Sequence, residues 1–367
     1  MVETGREGTL IHKAKLNSTL PRIAHRGAEM PRPKALYVLG AESFERIYGP
    51  AERQDIEALL EVIAPVQDSR VAEHSPHLLA QVEIILSGWG GPRLDSRFLA
   101  AAPNLRALFY GAGATSGIVT PEAWARGVKV SSAWAANAVP VAEYALAAIL
   151  WGLKRVLPHA RAVRQARSFA PRLPVAGAYG STVGLVSLGM VGRMVADRLR
   201  SFDVEVIAYD PIVEEAAARN LGVRLVGLDE LFRRADVVSV HAPWLAETEG
   251  MITGELVEAM KAGATLINTS RGAVLDEPAV LEVLARRDDL QAVLDVTHPE
   301  PPGPDSPLYD LPNVLLTPHI AGSVGRECNR QGRYMVEELR RYLAGQPLHW
   351  EITPEVAAHS THRPSGT

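Results

Sequence analysis

Apolar residues in this chain come in short, nearly unbroken runs separated by longer amphipathic stretches. Runs of this kind occupy 35–40, 82–87, 105–110 and, more briefly, 128–131. They resume at 183–186 and continue at 204–208, 223–226, 236–241, 264–268, 290–295 and 313–316. A strand buried on both faces reads this way, because neither face alternates with water. Helical periodicity fills most of the gaps. Residues 56–64 suit a helix and its exit, 190–199 a second helix, and 327–344 a final one. The alternation predicts an α/β protein built on parallel sheets. One helix, from Asn137 to about Val156, is apolar on nearly all sides, so it is expected between domains or subunits, with Pro158 breaking or kinking the pattern.

The runs fall into two groups, which divides the chain. Residues 35–137 together with 321–350 are expected to form one domain, because the final helix follows a second sheet that is already complete. Residues 138–320 form the other. Residues 1–34 and 351–367 lack periodicity and are expected to be mobile tails.

The most telling chemistry lies where the second group starts. The stretch 183–193 reads VGLVSLGMVGR, and 204–211 reads VEVIAYDP. This is a buried strand, a tight glycine turn, a helix, a second strand and an acid at that strand's tip. In such a layout backbone amides and a helix N-terminus face a pyrophosphate, and the acid receives a ribose. Ser187 stands where G-x-G-x-x-G has its first glycine. Gly189 still lets backbone approach a phosphate, and Gly192 still lets helix and strand pack closely. Met190 and Val191 open the helix between them. Asp210 lies 23 residues after Ser187, near the ~20 expected for the ribose acid. A carboxylate there repels a 2′-phosphate, and 211–215 (PIVEE) hold no cation to attract one, so NAD is expected over NADP.

Composition narrows the partners. The chain has 367 residues, 47% of them hydrophobic, and a net charge of −4, which gives no reason to expect nucleic acid. Cys328 is the single cysteine; it excludes an internal disulfide and a cysteine-built metal site, and no metal is expected. No apolar run is read as membrane-spanning, and the N-terminal stretch lacks the apolar core of a signal peptide. The cytoplasm follows as the expected location.

Four further motifs stand at strand ends, where open α/β sheets place their ligands. They are VHAP at 240–243, LINTSRG at 266–272, AVLDVTHPEP at 292–301 and LLTPHIAG at 315–322. Any one of Arg271, Glu300 and His319 alone suits a turn, a solvated loop or a cap. Three in register point to chemistry.

With these motifs in order, the chain resembles the D-isomer-specific 2-hydroxyacid dehydrogenase family over about 35–348. The resemblance implies a Rossmann-type cofactor domain, a flavodoxin-like substrate domain, NAD as cofactor, a small 2-oxo or 2-hydroxy acid as substrate, and a homodimer. It also implies that Arg271, Glu300 and His319 are catalytic. Arg271 offers a planar fork to a carboxylate and polarises the adjoining carbonyl. His319 delivers a proton to the carbonyl oxygen as hydride arrives. Glu300 orients the imidazole and favours its charged form. The resemblance places Asp295 near the nicotinamide or at the domain interface, with a structural cap as the alternative. It puts His241, Ala242, Pro243, Thr248, Thr269, Ser270 and Gly322 along the cofactor groove, His241 through its backbone.

The substrate loop departs from the family. Residues 111–118 read GAGATSGI where many relatives carry Asp-Asn-Ile-Asp, and Trp134 stands near where they have Pro-Gly. Backbone amides of Ala112 and Gly113 remain candidates for the substrate carboxylate. Trp89 either lines the pocket or packs, and Trp134 is expected to pack. No regulatory domain is expected after Leu348. Formate dehydrogenases of the superfamily carry glutamine where Glu300 stands, which argues against formate. Corepressors of the same family, which sense NAD(H) without catalysis, are the alternative class.

Overall fold

The computed structural model describes residues 31–360. The N-terminal stretch 1–34, expected as a tail, lies almost wholly outside the described residues; Lys34 already begins the first strand.

The first sheet contains β1 (Lys34–Val38), β2 (Glu61–Val62), β3 (Ile84–Ser87), β4 (Ala107–Tyr110) and β5 (Lys129–Ser132). Their order is β2-β1-β3-β4-β5 and every pairing is parallel. This is the flavodoxin-like order, with its switch between β1 and β3. The second sheet contains β6 (Ser181–Val186), β7 (Val204–Tyr209), β8 (Arg224–Leu225), β9 (Val237–Val240), β10 (Thr265–Asn268), β11 (Gln291–Leu294) and β12 (Val314–Leu316). Its order is β12-β11-β10-β9-β6-β7-β8, again all parallel. This is the doubly wound dinucleotide-binding order with one strand added, and its switch lies between β6 and β9. The loops after β6 and β9 therefore border one crevice.

The apolar runs became strands because both faces are covered. β3, β4, β6, β9, β10 and β11 are buried throughout. The helix Glu327–Leu343 does return to the first sheet, where Met335, Val336 and Leu339 pack with Tyr37, Leu86 and Phe109.

Several elements differ from expectation. The helix assigned to 56–64 is Pro50–Leu59, started by proline in its first turn, and the chain then extends into β2. A two-residue edge strand carries no run long enough to reveal itself. The long helix is Trp134–Leu153. It ends because Arg155 adopts φ 47°, in the left-handed region, not because of Pro158. Pro158 sits in the first turn of the next helix, Val156–Ala166, where its missing N–H is tolerated. The long helix is also apolar and long enough to cross a membrane by length and composition, contrary to the sequence reading. Its apolarity is explained by packing: Ala142, Ala145, Ile149 and Leu153 join the core of the second sheet, while Ala136 joins that of the first.

The stretch after 350 is not a free tail over its described length. Glu351 bridges Ser131, Ile352 is 4% exposed in the first core, and Pro354–Ala358 is a helix capped by the Thr353 side chain. One buried isoleucine and a cap suffice to dock so short a segment, and neither gives a periodic pattern.

Candidate active site

The turn after β6 is held from both sides. Ser187 N–H donates to the Tyr209 carbonyl at 2.7 Å. Leu188 N–H donates to Asp210 Oδ2 at 2.7 Å, and Ser187 Oγ lies 3.4 Å from the same oxygen. Asp210 Oδ1 accepts the N–H groups of Ile212 and Val213. Asp210 thus ties the tip of β7 to the loop, whatever else it binds. Ser187 has φ 77°, the left-handed conformation for which glycine is the usual choice.

Gly189 is exposed and caps the helix Met190–Leu199 without a side-chain acceptor, so the first helical amides stay open. A Cβ on Gly189 would meet nothing closer than 4.0 Å, which leaves the approach clear. A Cβ on Gly192 would lie 2.2 Å from the Ser187 carbonyl oxygen; only glycine allows the helix to start this close to the strand. Open amides, a clear approach and a carboxylate at the β7 tip fit a dinucleotide.

His241 closes the crevice from β9. Its backbone N–H is used by the Val186 carbonyl, so the expected backbone contact is restricted to its own carbonyl. Both ring nitrogens are buried with no protein partner. Burial pushes the imidazole down to about 4. The unfolded chain therefore binds a proton below about 6.5 that the folded chain refuses until about 4. Stability is expected to fall by about 3 kcal/mol as pH drops through that window. Urea unfolding between pH 7 and 4 should show the loss, and His241→Phe should flatten it; an unchanged slope in the variant would assign the loss elsewhere.

Arg271 follows β10 on a loop fixed by Asn268. Asn268 Nδ2 donates to the Arg271 carbonyl at 2.9 Å, and its Oδ1 accepts Ser270 N–H and Oγ. The next residue must be glycine, because a Cβ on Gly272 would fall 2.0 Å from the Thr297 carbonyl carbon. That contact brings the Arg271 loop against the loop carrying Glu300. One guanidinium N–H donates to the Ser270 carbonyl at 2.6 Å. Burial lowers the Arg271 pKa, and the Glu300 charge opposes this, which places the carboxylate in its field. Glu300 Oε1 in turn lies 2.6 Å from His319 Nδ1. The structure thus brings two of the three predicted groups into direct contact, with Arg271 near enough to feel the charge of their carboxylate. The His319 and Glu300 side chains are 44% and 41% exposed, open to an incoming molecule. With Nδ1 on Glu300, Nε2 is the nitrogen left to face a reacting atom.

His319 has φ 54°, costly for a residue with a Cβ. Asp295 holds it there. The Asp295 carbonyl accepts His319 N–H, Oδ1 accepts Ile320 N–H and Thr317 Oγ, and Oδ2 accepts Ala321 N–H. Asp295 is 1% exposed. It is therefore a clamp of the His319 loop, which is the cap alternative.

Other expected contacts divide. Ala112 N–H is spent on the Tyr110 carbonyl and the residue is buried, so it cannot hold a substrate carboxylate; Gly113, next along, has no acceptor for its N–H among the described residues. Trp89 lies at the end of β3, 37% exposed, while Trp134 packs edge-on against Trp350. Thr248 caps its own turn, accepting Leu245 N–H and donating to the Pro243 carbonyl. Ala242 is buried in the core, and Thr269 is buried with an unpartnered hydroxyl. Ser270 serves the Asn268 turn. Gly322 lies against Asn137, which sequence reading missed: Asn137 Oδ1 accepts Ser323 N–H at 2.9 Å and Gln331 Nε2 at 3.3 Å. A polar residue on a largely apolar helix was the available signal.

Two doubly wound units, with a dinucleotide loop and an Arg–Glu–His group at the strand ends of one of them, define a class of two-domain nucleotide-binding proteins. The particular family follows from comparison. The chain belongs to the D-isomer specific 2-hydroxyacid dehydrogenase family; residues 146–321 match the model of its NAD-binding domain. Over 255 residues it is 38% identical to the D-3-phosphoglycerate dehydrogenase of Mycobacterium tuberculosis (strain ATCC 25618 / H37Rv), covering 69% of this chain and 48% of that one. The chain thus spans about half the length of these long relatives. It is 34% identical to the glyoxylate reductase of Korarchaeum cryptofilum (strain OPF8) over 69% of this chain and 77% of that one. Among solved structures, the D-lactate dehydrogenase of Aquifex aeolicus complexed with NAD and lactic acid superposes with a TM-score of 0.64 at 25% identity, covering 85% of this chain and 96% of that one.

Proposed function

We propose that the protein interconverts a 2-oxo acid and a D-2-hydroxy acid with NAD(H). The observation that carries this reading is the 2.6 Å His319–Glu300 contact, with the half-buried Arg271 in the field of the same carboxylate. NADH, when bound, supplies the hydride. The chain supplies the rest. Amides at Gly189–Gly192 take the pyrophosphate, and Asp210 puts negative charge where NADP would carry its extra phosphate, which favours NAD. Arg271 keeps its free donors for the substrate carboxylate and the oxygen of the adjoining carbonyl. His319 passes the Nε2 proton to that oxygen, while the Glu300 charge stabilises the imidazolium that must exist beforehand.

The test is NADH oxidation, followed by absorbance, against 2-oxo acids from glyoxylate and hydroxypyruvate to branched and aromatic ones. Turnover of at least one member is expected, with NADH preferred over NADPH. Arg271→Ala should raise KM and lower kcat together, by about 10²-fold or more in kcat/KM. NADH binding without turnover of any 2-oxo acid would instead favour a sensing role of the corepressor kind.

A further inference from the structure

His319 is clamped through a chain of hydrogen bonds that leaves the site and ends on the long helix. Thr317 Oγ lies 2.6 Å from Asp295 Oδ1, and Tyr144 Oη lies 2.9 Å from Thr317 Oγ. The direction is fixed. Thr317 Oγ donates to Asp295 Oδ1, which uses the single hydroxyl proton of Thr317. Tyr144 must then be the donor to Thr317. Burial raises the Tyr144 pKa above its usual value, so the phenol remains protonated and keeps donating.

The same helix grips the loop a second time. Asn137 precedes Tyr144 by seven residues, about two turns, which puts both on one helical face. Asn137 accepts Ser323 N–H at one end of the loop, and Tyr144 reaches Thr317 at the other. Between these anchors lies His319 in its left-handed conformation. A strained residue persists only where its surroundings over-determine it.

We infer that Tyr144 is a positioning residue for His319, acting through Thr317 and Asp295. This rests on the assignment of His319 as the proton donor. Without the phenol, Thr317 Oγ loses the one donor it has among the described residues and is less firmly held against Asp295. Asp295 Oδ1 then keeps the Ile320 amide alone, and the loop that holds His319 at φ 54° is looser by one of its bonds to Asp295. Ring packing is untouched by Tyr144→Phe, so the hydroxyl is what the substitution reads.

The experiment compares Tyr144→Phe, Thr317→Val, Thr317→Ser and the double variant Tyr144→Phe/Thr317→Val, with His319→Ala as reference. Hydrogen exchange of the unliganded protein is followed by mass spectrometry on peptides covering 316–324. Steady-state kinetics use the best 2-oxo acid of the panel. Tyr144→Phe is expected to speed exchange in that peptide by about tenfold and to lower kcat about fivefold with KM and NADH affinity unchanged. Thr317→Ser should restore both readouts to near wild type. Thr317→Val should exceed Tyr144→Phe, and the double variant should be no worse than Thr317→Val alone, as members of one chain require. Wild-type exchange and kcat in Tyr144→Phe would overturn the inference, as would additive losses in the double variant. Should His319→Ala retain turnover, the functional reading fails instead, and the exchange data still decide whether Tyr144 holds the loop.

Discussion

His319→Ala is expected to lower kcat for 2-oxo acid reduction by about 10³-fold, within the range that a positioned proton donor contributes. NADH affinity should stay within about twofold, because the pyrophosphate loop after β6 lies on a different strand end. Glu300→Gln separates the two tasks of the pair. The amide oxygen can still accept Nδ1–H, so orientation survives. The negative charge that favours imidazolium does not. A smaller loss in kcat, about tenfold, is therefore expected. The transferred proton leaves a ring without its charge partner, so the loss should fall on kcat while KM and NADH affinity hold. Steady-state kinetics of both variants with the best 2-oxo acid check this. The assignment of Glu300 as the stabilising charge would be abandoned if Glu300→Gln kept the wild-type kcat.

That such variants can be chosen from sequence at all has a physical basis. Parallel strands buried on both faces leave continuous apolar runs, so β6, β7, β9, β10 and β11 stand out along the chain. In an open parallel sheet chemistry gathers at the carboxyl ends, and the residues following those runs include Ser187, Asp210, His241, Arg271 and Asp295, with His319 after the shorter β12. What sequence could not show depends on contacts without period. Tyr144 and Thr317 are 173 residues apart and meet only because the long helix lies across the sheet. Ala112 and Gly113 are adjacent and chemically alike, yet one amide is consumed by a local turn and the other is free. The carboxylate of Asp295 is turned into its own loop by three donors supplied 22 to 26 residues later. β2 is two residues long and held at the sheet edge by β1. Apart from the Ala112 turn, the deciding partner is remote in each case, and local pattern carries no trace of it.

The glycine turn offers the second large effect. Gly192→Ala is expected to weaken NADH binding by about 100-fold and to lower stability by roughly 2–3 kcal/mol. The added methyl would sit 2.2 Å from the Ser187 carbonyl oxygen and 3.2 Å from its carbon. Both are backbone atoms, so no rotamer change relieves the clash. The turn must move, and with it the 2.7 Å bond from Leu188 N–H to Asp210 that holds the loop on β7. Moving the turn also re-aims the open amides of the following helix, which are what a pyrophosphate would meet. Ser187→Gly is the opposite perturbation at the same turn. It removes the penalty of φ 77°, about 1 kcal/mol, against the greater freedom of glycine in the unfolded chain and the loss of the long 3.4 Å contact with Asp210. Its stability should change by less than about 1 kcal/mol, with NADH affinity kept. Calorimetry with NADH and thermal unfolding of the two variants measure both quantities. Wild-type affinity in Gly192→Ala would mean that the turn tolerates displacement and that the dinucleotide is held mainly elsewhere. A large loss in Ser187→Gly would mean that the serine hydroxyl, rather than the turn's geometry, is what keeps Asp210 in place.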